Sequence, residues 1–344
     1  MTELSWGRRH PFLRVIAIIL AIIVGLATLT WTAFRVSPWP SALVVRSMFD
    51  RGGEEMNAAL KQRADALAVQ VTSDVNYGDE RDTVLDIYRP QNAGSTPLPT
   101  IVWVHGGGWI SGDKGQIANY LKILAAEGFT VVGVNYSIAP GATYPTPVVQ
   151  TMSALGFLLH DAREFGIDPT NFVLAGDSAG SQIAAQVATI ITNPEYAREV
   201  AIDASIPASS LRGTVLACGA YDLSLANVEG PFGDFLKTVL WSYTGTRDYA
   251  SDPRTRTASV LNYVDKNFPP SFFTAGNADS LAPQSEAMAD RLTGLGVEVE
   301  TLFYPKDHEP ALQHEYQFDL SNADGEEALA RIVAFVHAQT GPRS

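Results

Sequence analysis

The chain has a single cysteine, Cys218, among 344 residues, so no disulfide can form within it. An oxidising compartment is permitted, but disulfides would not be what holds the fold there. Basic residues are also few: 24 Lys and Arg stand against 37 Asp and Glu, a formal charge of −13 at pH 7. That balance repels phosphate backbones and argues against nucleic acid as a partner. Charged residues of both signs make up only 18% of the chain and hydrophobic residues 46%, which excludes disorder, collagen and coiled coil. Internal repeats and low-complexity tracts are absent as well.

What is present divides into two chemically different pieces. Residues 1–35 hold four arginines (Arg8, Arg9, Arg14, Arg35) against one acid, Glu3, a net +3 that leaves −16 for the remainder. Within this piece, residues 15–34 (VIAIILAIIVGLATLTWTAF) are twenty positions without a charge. As a helix they span about 30 Å, the thickness of a bilayer's hydrocarbon core. The arginines before the run place residues 1–14 in the cytoplasm and the rest of the chain outside, by the positive-inside rule. A retained signal anchor is therefore expected. The alternatives are a cleaved signal peptide, for which the run is long and lacks a clear A-x-A site, and a twin-arginine signal built on Arg8 and Arg9.

Residues 35–70 read as a helical connector or cap, with SPWP at 37–40 as a breaker and a second interruption at Gly52 and Gly53. Its apolar positions Leu43, Val44, Met48 and Phe49 fit either a cleft in the main domain or the membrane surface. From residue 71 the pattern becomes strand-like. VTSDVNY and TVLDIYRP predict an antiparallel hairpin, and short apolar runs then alternate with longer helical stretches (115–127, 146–165, 179–192, 283–294). Strands apolar along their whole length imply a mostly parallel sheet with helices on both faces, an α/β domain over 71–344. Residues 225–268, with Pro231, Phe232, Trp241 and Tyr243, break this rhythm and are expected to be an insertion above the carboxyl ends of the strands.

Two motifs carry chemistry. GDSAG (Gly176–Gly180) lies between an apolar strand and the helical stretch SQIAAQVATII. At such an elbow the glycines permit a turn tight enough to expose Ser178 at the sheet edge, over a helix N-terminus, the setting of an activated nucleophile. HGGGW (His105–Trp109) also follows an apolar strand, and its bare amides suit the oxygen of a tetrahedral acyl intermediate. A phosphate cradle is the alternative, but no G-x-x-x-x-G-K-[ST] is present. His105 itself is expected to be structural, and Asp177 to brace the elbow.

HGGGW followed by NYSIAPGATYP and then GDSAG resembles the hormone-sensitive-lipase-like branch of the α/β-hydrolase fold, the bacterial type IV esterases, over most of residues 71–340. The resemblance implies ester hydrolysis without cofactor or metal, and a chain order of Ser, acid, His. It assigns Ser178 as nucleophile and the N–H groups of Gly107, Gly108 and Ala179 as the oxyanion hole. Asp279, in the loop after SFFTAG, matches the family's acid, with Asp222 in GAYDL as competitor. For the base, His314, followed by Tyr316 and Phe318, matches the family's ending. His308 in the same loop lies nearer the customary distance from the preceding strand, and whichever histidine is not the base is expected to be exposed and without a partner. Ser181 and Gln182 depart from the family's Gly-Asn, and Gln150 stands where an acid is common. The expected substrate is a short- to medium-chain acyl ester or a related lipophilic ester; a serine peptidase and a non-catalytic binding protein are the rival functions. The sequence leaves the oligomeric state open.

Overall fold

In a computed structural model, residues 11–226, 228–229 and 233–341 are described. Arg8, Arg9, Pro231 and Phe232, which figure in the expectations above, lie outside them. Eight strands form one sheet: β1 (Val69–Asn76), β2 (Val84–Pro90), β3 (Leu98–Val104), β4 (Thr130–Val134), β5 (Ile167–Asp177), β6 (Leu211–Ala217), β7 (Ser271–Ala275) and β8 (Val299–Phe303). Their spatial order is β1-β2-β4-β3-β5-β6-β7-β8. The β1–β2 and β2–β4 pairings are antiparallel and all others parallel. The fold is the mostly parallel α/β architecture expected, with the leading hairpin as its antiparallel edge.

Every residue of β4 and β7 is buried, because helices cover both faces of the sheet. Edge strand β1 (VQVTSDVN) is largely exposed and accordingly polar at alternate positions. Two hydrophobic layers sandwich the sheet. One contains Ile183, Val187 and Leu155, and the other Leu121, Leu124, Ile332 and Phe335. Since β3, β5, β6, β7 and β8 run parallel, all their carboxyl ends emerge at one edge. That is where crossover loops meet and where such sheets bind ligands.

Ten α-helices follow one another in chain order among the described residues. The first two, α1 (Pro11–Val36) and α2 (Trp39–Asp65), precede the sheet. Residues 12–36 are long and apolar enough to cross a membrane, and none of that segment is buried against the protein. The break at Ser37 and Pro38 is as expected, whereas the one at Gly52 and Gly53 is not: α2 runs through both. A Cβ on Gly53 would lie 2.5 Å from Oε1 of Gln116, the movable end of a long side chain, and the helix continues through this glycine without a turn. The remaining helices are α3 (Ala118–Ala126), α4 (Thr146–His160), α5 (Ser178–Thr192), α6 (Pro194–Val200), α7 (Gly233–Thr244), α8 (Pro253–Ala258), α9 (Ala282–Gly294) and α10 (Ala323–Thr340). Both α7 and α8 fall in the stretch whose pattern looked irregular.

Candidate active site

Ser178 is the first residue of α5, directly after β5, and its backbone sits at φ 51°. A non-glycine residue in this left-handed region is unusual, and here it turns the side chain up at the strand's end. The elbow packs so tightly on β3 that a Cβ at Gly180 would strike the carbonyl oxygens of Val104 and His105. Hence the second glycine of GDSAG is required by close approach.

Asp279 leaves β7 in a short loop, and His314 lies in the loop after β8. The structure brings both to Ser178. His314 Nε2 lies 2.9 Å from Ser178 Oγ, and Nδ1 lies 2.9 Å from Asp279 Oδ2. The Asp279 side chain is fully buried, and its other oxygen accepts the Leu281 N–H at 2.8 Å. A buried carboxylate at Nδ1 fixes the proton there and leaves the Nε2 lone pair facing the serine hydroxyl. Packing around the ring disfavours the imidazolium although 37% of the side chain's surface is open. Cys218, Asp279 and Glu315 act the other way, and the net direction is well above histidine's ordinary range. Burial pushes the Cys218 thiol up as well.

The two competitors are elsewhere. Asp222 caps the turn at residues 223–225, accepting from the Ser224 N–H at 2.9 Å and the Ser224 hydroxyl at 2.6 Å. His308 is not a partnerless surface histidine: its Nε2 lies 3.0 Å from Asp324 Oδ1, and its ring packs 4.5 Å from that of Tyr304.

The HGGGW loop leaves β3 beside the elbow. Gly107, Gly108 and Trp109 have φ of 96°, 59° and 60°. Among the described residues no acceptor takes the N–H of Gly107 or Gly108. The Ala179 N–H, in the first turn of α5, is one that helix geometry leaves unpaired. These are the three amides assigned from the sequence. His105 is buried, stacks on Tyr136 at 4.3 Å and uses Nδ1 on the Gly106 carbonyl at 2.9 Å. Burial holds its pKa down, as fits a structural, neutral ring.

One neighbour of the site, Glu315, was not singled out in the sequence, and the residues that were have partners the sequence did not show. Asp177 Oδ1 accepts the Trp103 indole N–H at 2.7 Å, bracing the elbow as expected, but the carboxyl also meets Glu315. Burial and that second carboxylate hold Asp177 well above the usual carboxylate range. Glu315 Oε1 lies 3.7 Å from His314 Nε2. Gln182 accepts the Trp109 indole N–H at 3.1 Å and donates to the Ala258 carbonyl, tying the HGGGW loop to α8. Ser181 bonds Tyr221 at 2.7 Å, and Gln150 accepts the Ser137 N–H while donating to Glu80. The departures from the family pattern thus occupy built hydrogen-bond networks.

One ligand atom each from Cys218, Asp279 and His314 falls within 4.8 Å of the others, a set that could hold a metal ion. The raised, protonated thiol and the commitment of both other groups to the Ser178 chain oppose that use. Two surface clefts lie elsewhere, one lined by Arg89, Arg163 and Gly166 and the other by Glu54, Lys61 and Asn119; neither includes Ser178, Asp279 or His314.

With this geometry in hand, comparison with known proteins decides the family. Residues 85–292 match the family model described as BD-FAE, more than half of the chain. The chain belongs to the BD-FAE family. Esterase LipC of Mycobacterium tuberculosis is 28% identical over 225 residues, covering 63% of this chain and 54% of LipC. Carboxylesterase NlhH of the same species is 29% identical over 270 residues, 76% of this chain and 79% of NlhH. The chain spans about half the length of the first of these curated relatives. Among solved structures, an inhibited esterase B from Lactobacillus rhamnosis superposes with TM-score 0.73 at 23% identity, covering 87% of this chain and 96% of that one, which establishes the α/β-hydrolase fold for this BD-FAE member.

Proposed function

We propose that this protein is a serine carboxylic-ester hydrolase with Ser178 as nucleophile, His314 as base and Asp279 as acid. The observation that carries the reading is the unbroken hydrogen-bond chain from Ser178 through His314 to Asp279, placed beside the free amides of Gly107, Gly108 and Ala179. Named esterases among the relatives support it. His314 Nε2 takes the hydroxyl proton as Ser178 Oγ attacks the ester carbonyl. Asp279 holds the ring in the required tautomer and stabilises the imidazolium without being protonated. The three amides receive the oxyanion, a contribution of about 3 kcal/mol for a single donor in comparable sites. The imidazolium then gives its proton to the departing alcohol. Water, activated by the same ring, attacks the acyl-enzyme and frees the acid.

The roof fits a lipophilic acyl group. Tyr243 of α7 stacks on Trp109 at 4.5 Å, and Val239 and Phe49 lie over Gly108. Short- to medium-chain acyl esters are the proposed substrates. Helix α1 is read as a retained anchor that holds the catalytic part outside the cytoplasm; its apolar, unburied surface supports the anchor, and the arginine bias supports the orientation. Turnover of short p-nitrophenyl esters, and labelling of Ser178 by a fluorophosphonate that is lost in Ser178→Ala, are the expected results. Absence of both would overturn the reading. Carbonate-resistant membrane association with protease access from outside tests the anchor.

A further inference from the structure

The outward side of α2 begins as an uncovered apolar surface. Leu43, Val44 and Met48 are 50%, 56% and 69% exposed, and Trp39 is exposed beside them. From Trp39 to Phe49 the one charged side chain is Arg46, and it is turned inward. Its guanidinium donates to the carbonyls of Ile110 and Ala139 at 2.6 and 2.8 Å. Ala42 is buried on the same inner side, and Asp50 accepts the Ser111 hydroxyl at 2.6 Å. The outward surface of these first three turns therefore carries no charge until Arg51. Free in water, such a strip is costly; on a lipid interface it is the apolar side of an amphipathic helix.

Its position names the occupant. Only Ser37 and Pro38 separate α2 from the end of α1. Around that junction the protein sets a belt of Arg and Trp. Arg35 lies over Trp31 at 5.3 Å, Arg247 lies over Trp241 at 4.0 Å, and Arg247 donates to the Arg35 carbonyl. Paired Trp and Arg side chains are the anchors expected at headgroup level. The belt thus ties α7 and the loop after it, as well as α2, to the membrane exit of α1. Both helices then lead to the candidate site: Phe49 meets Phe235 at 5.5 Å, and Phe49 and Val239 overlie Gly108. Trp39 and Phe49 are separated by some 15 Å of helix.

We propose that the outward side of residues 39–48 lies in the lipid interface, so that the mouth above Ser178 opens toward the bilayer and receives esters dissolved in it. This deepens the ester-hydrolase and anchor readings above and rests on them. The occupant is the lipid surface itself.

The test uses the full-length chain in phosphatidylcholine vesicles. Cys218 is buried, so an environment-sensitive fluorophore on Met48→Cys reports this position alone. Quenching by brominated lipid is expected there and not at Ala58→Cys, two to three turns farther along α2. Leu43→Ser, Val44→Ser and Met48→Ser combined should leave turnover of a water-soluble acetate ester within about twofold while lowering turnover of a bilayer-dissolved diacylglycerol about tenfold. A Met48 probe that bromolipid does not quench overturns the proposal. So does one whose shielding depends on the protein-to-lipid ratio, which identifies a second copy as the occupant, and so does equal loss on both esters. If the unsubstituted chain turns over neither ester, the hydrolase reading fails, while the quenching still decides where the helix lies.

Discussion

Helix α1 and helix α5 are both long and apolar, with no charge in α5 and only Arg14 and Arg35 near the ends of α1. By residue type they pass as the same kind of object. In the structure every described side chain of α1 is open or nearly so, whereas α5 is buried from Ser178 to Ile191. What separates them is the treatment of polar groups. Buried α5 carries Gln182 and Gln186, and each is hydrogen-bonded, Gln182 to Trp109 and Ala258 and Gln186 to Tyr144 and Tyr196. Between Arg14 and Arg35, helix α1 has, besides the Trp31 indole, only small hydroxyls that can bond their own backbone, as Thr28 does to the Val24 carbonyl. A helix whose solvent is protein can use long polar side chains because partners exist; the uncovered surface of α1 offers none.

The contrast is broken most severely at the first residue of α5. Ser178→Ala should reduce ester kcat/KM by about 10³- to 10⁶-fold with little change in thermal stability, and His314→Ala should do the same. Asp279→Asn should cost about 10⁴-fold, through the wrong tautomer of His314. His308→Ala and Asp222→Asn should stay within about twofold, since neither side chain reaches Ser178. A collapse of activity in His308→Ala, with His314→Ala spared, would reverse the assignment.

One substitution made in both helices sharpens the comparison. Ile183→Ala removes a fully buried side chain from α5 and should lower unfolding stability by about 2–5 kcal/mol. Ile23→Ala, at a 54% exposed site in α1, should leave unfolding of the catalytic part unchanged to about 0.5 kcal/mol. Ile23→Arg should instead weaken membrane insertion by about 3 kcal/mol, read as release on carbonate extraction. Equal destabilisation by the two alanines would mean that α1 packs on protein.

These experiments probe features that differ in how far the sequence exposed them. The sheet was legible because strands covered on both faces are mostly apolar, with only small hydroxyl residues or glycine among the large ones, as in TVVGV and SFFTA. The strand-to-helix setting of Ser178 was legible from GDSAG and its flanks, and Asp279 was picked out over Asp222 by the family resemblance, after SFFTA. The choice between His308 and His314 was not settled by the residues, because the path of a loop from residue 304 to 315 depends on contacts far along the chain, such as Leu312 N–H to Asn277 at 2.8 Å. Gly53 misled for a related reason: a glycine carried inside a long helix looks, by residue type, like one that ends it. The helices at 233–258 were hidden because their apolar positions serve a roof over the site and not a sheet face. Glu315 gave no signal at all; its position matters only because the fold sets it against both Asp177 and His314.

The place of Glu315 between these two groups supports the smallest predicted effect. Glu315 stabilises the His314 imidazolium, and the ring must be neutral to accept the serine proton. Glu315→Gln removes that charge and keeps the shape, so the imidazolium pKa falls and the acid limb of the ester pH–rate profile should move to lower pH. Above the limb the rate should hold. The same change bears on stability through Asp177, whose carboxyl burial and Glu315 together hold above its unfolded value. A raised folded pKa contributes stability that is complete below the unfolded value, near 3.9 for Asp, and that is lost as pH rises through the folded value. Relieving part of the shift should therefore leave Glu315→Gln level with the unsubstituted protein in acid and more stable above it, with the gap in Tm widening as pH rises and then flattening. An acid limb that stays fixed while Tm still separates would mean that Glu315 acts on Asp177 alone, and its 3.7 Å approach to His314 would then have no bearing on the base.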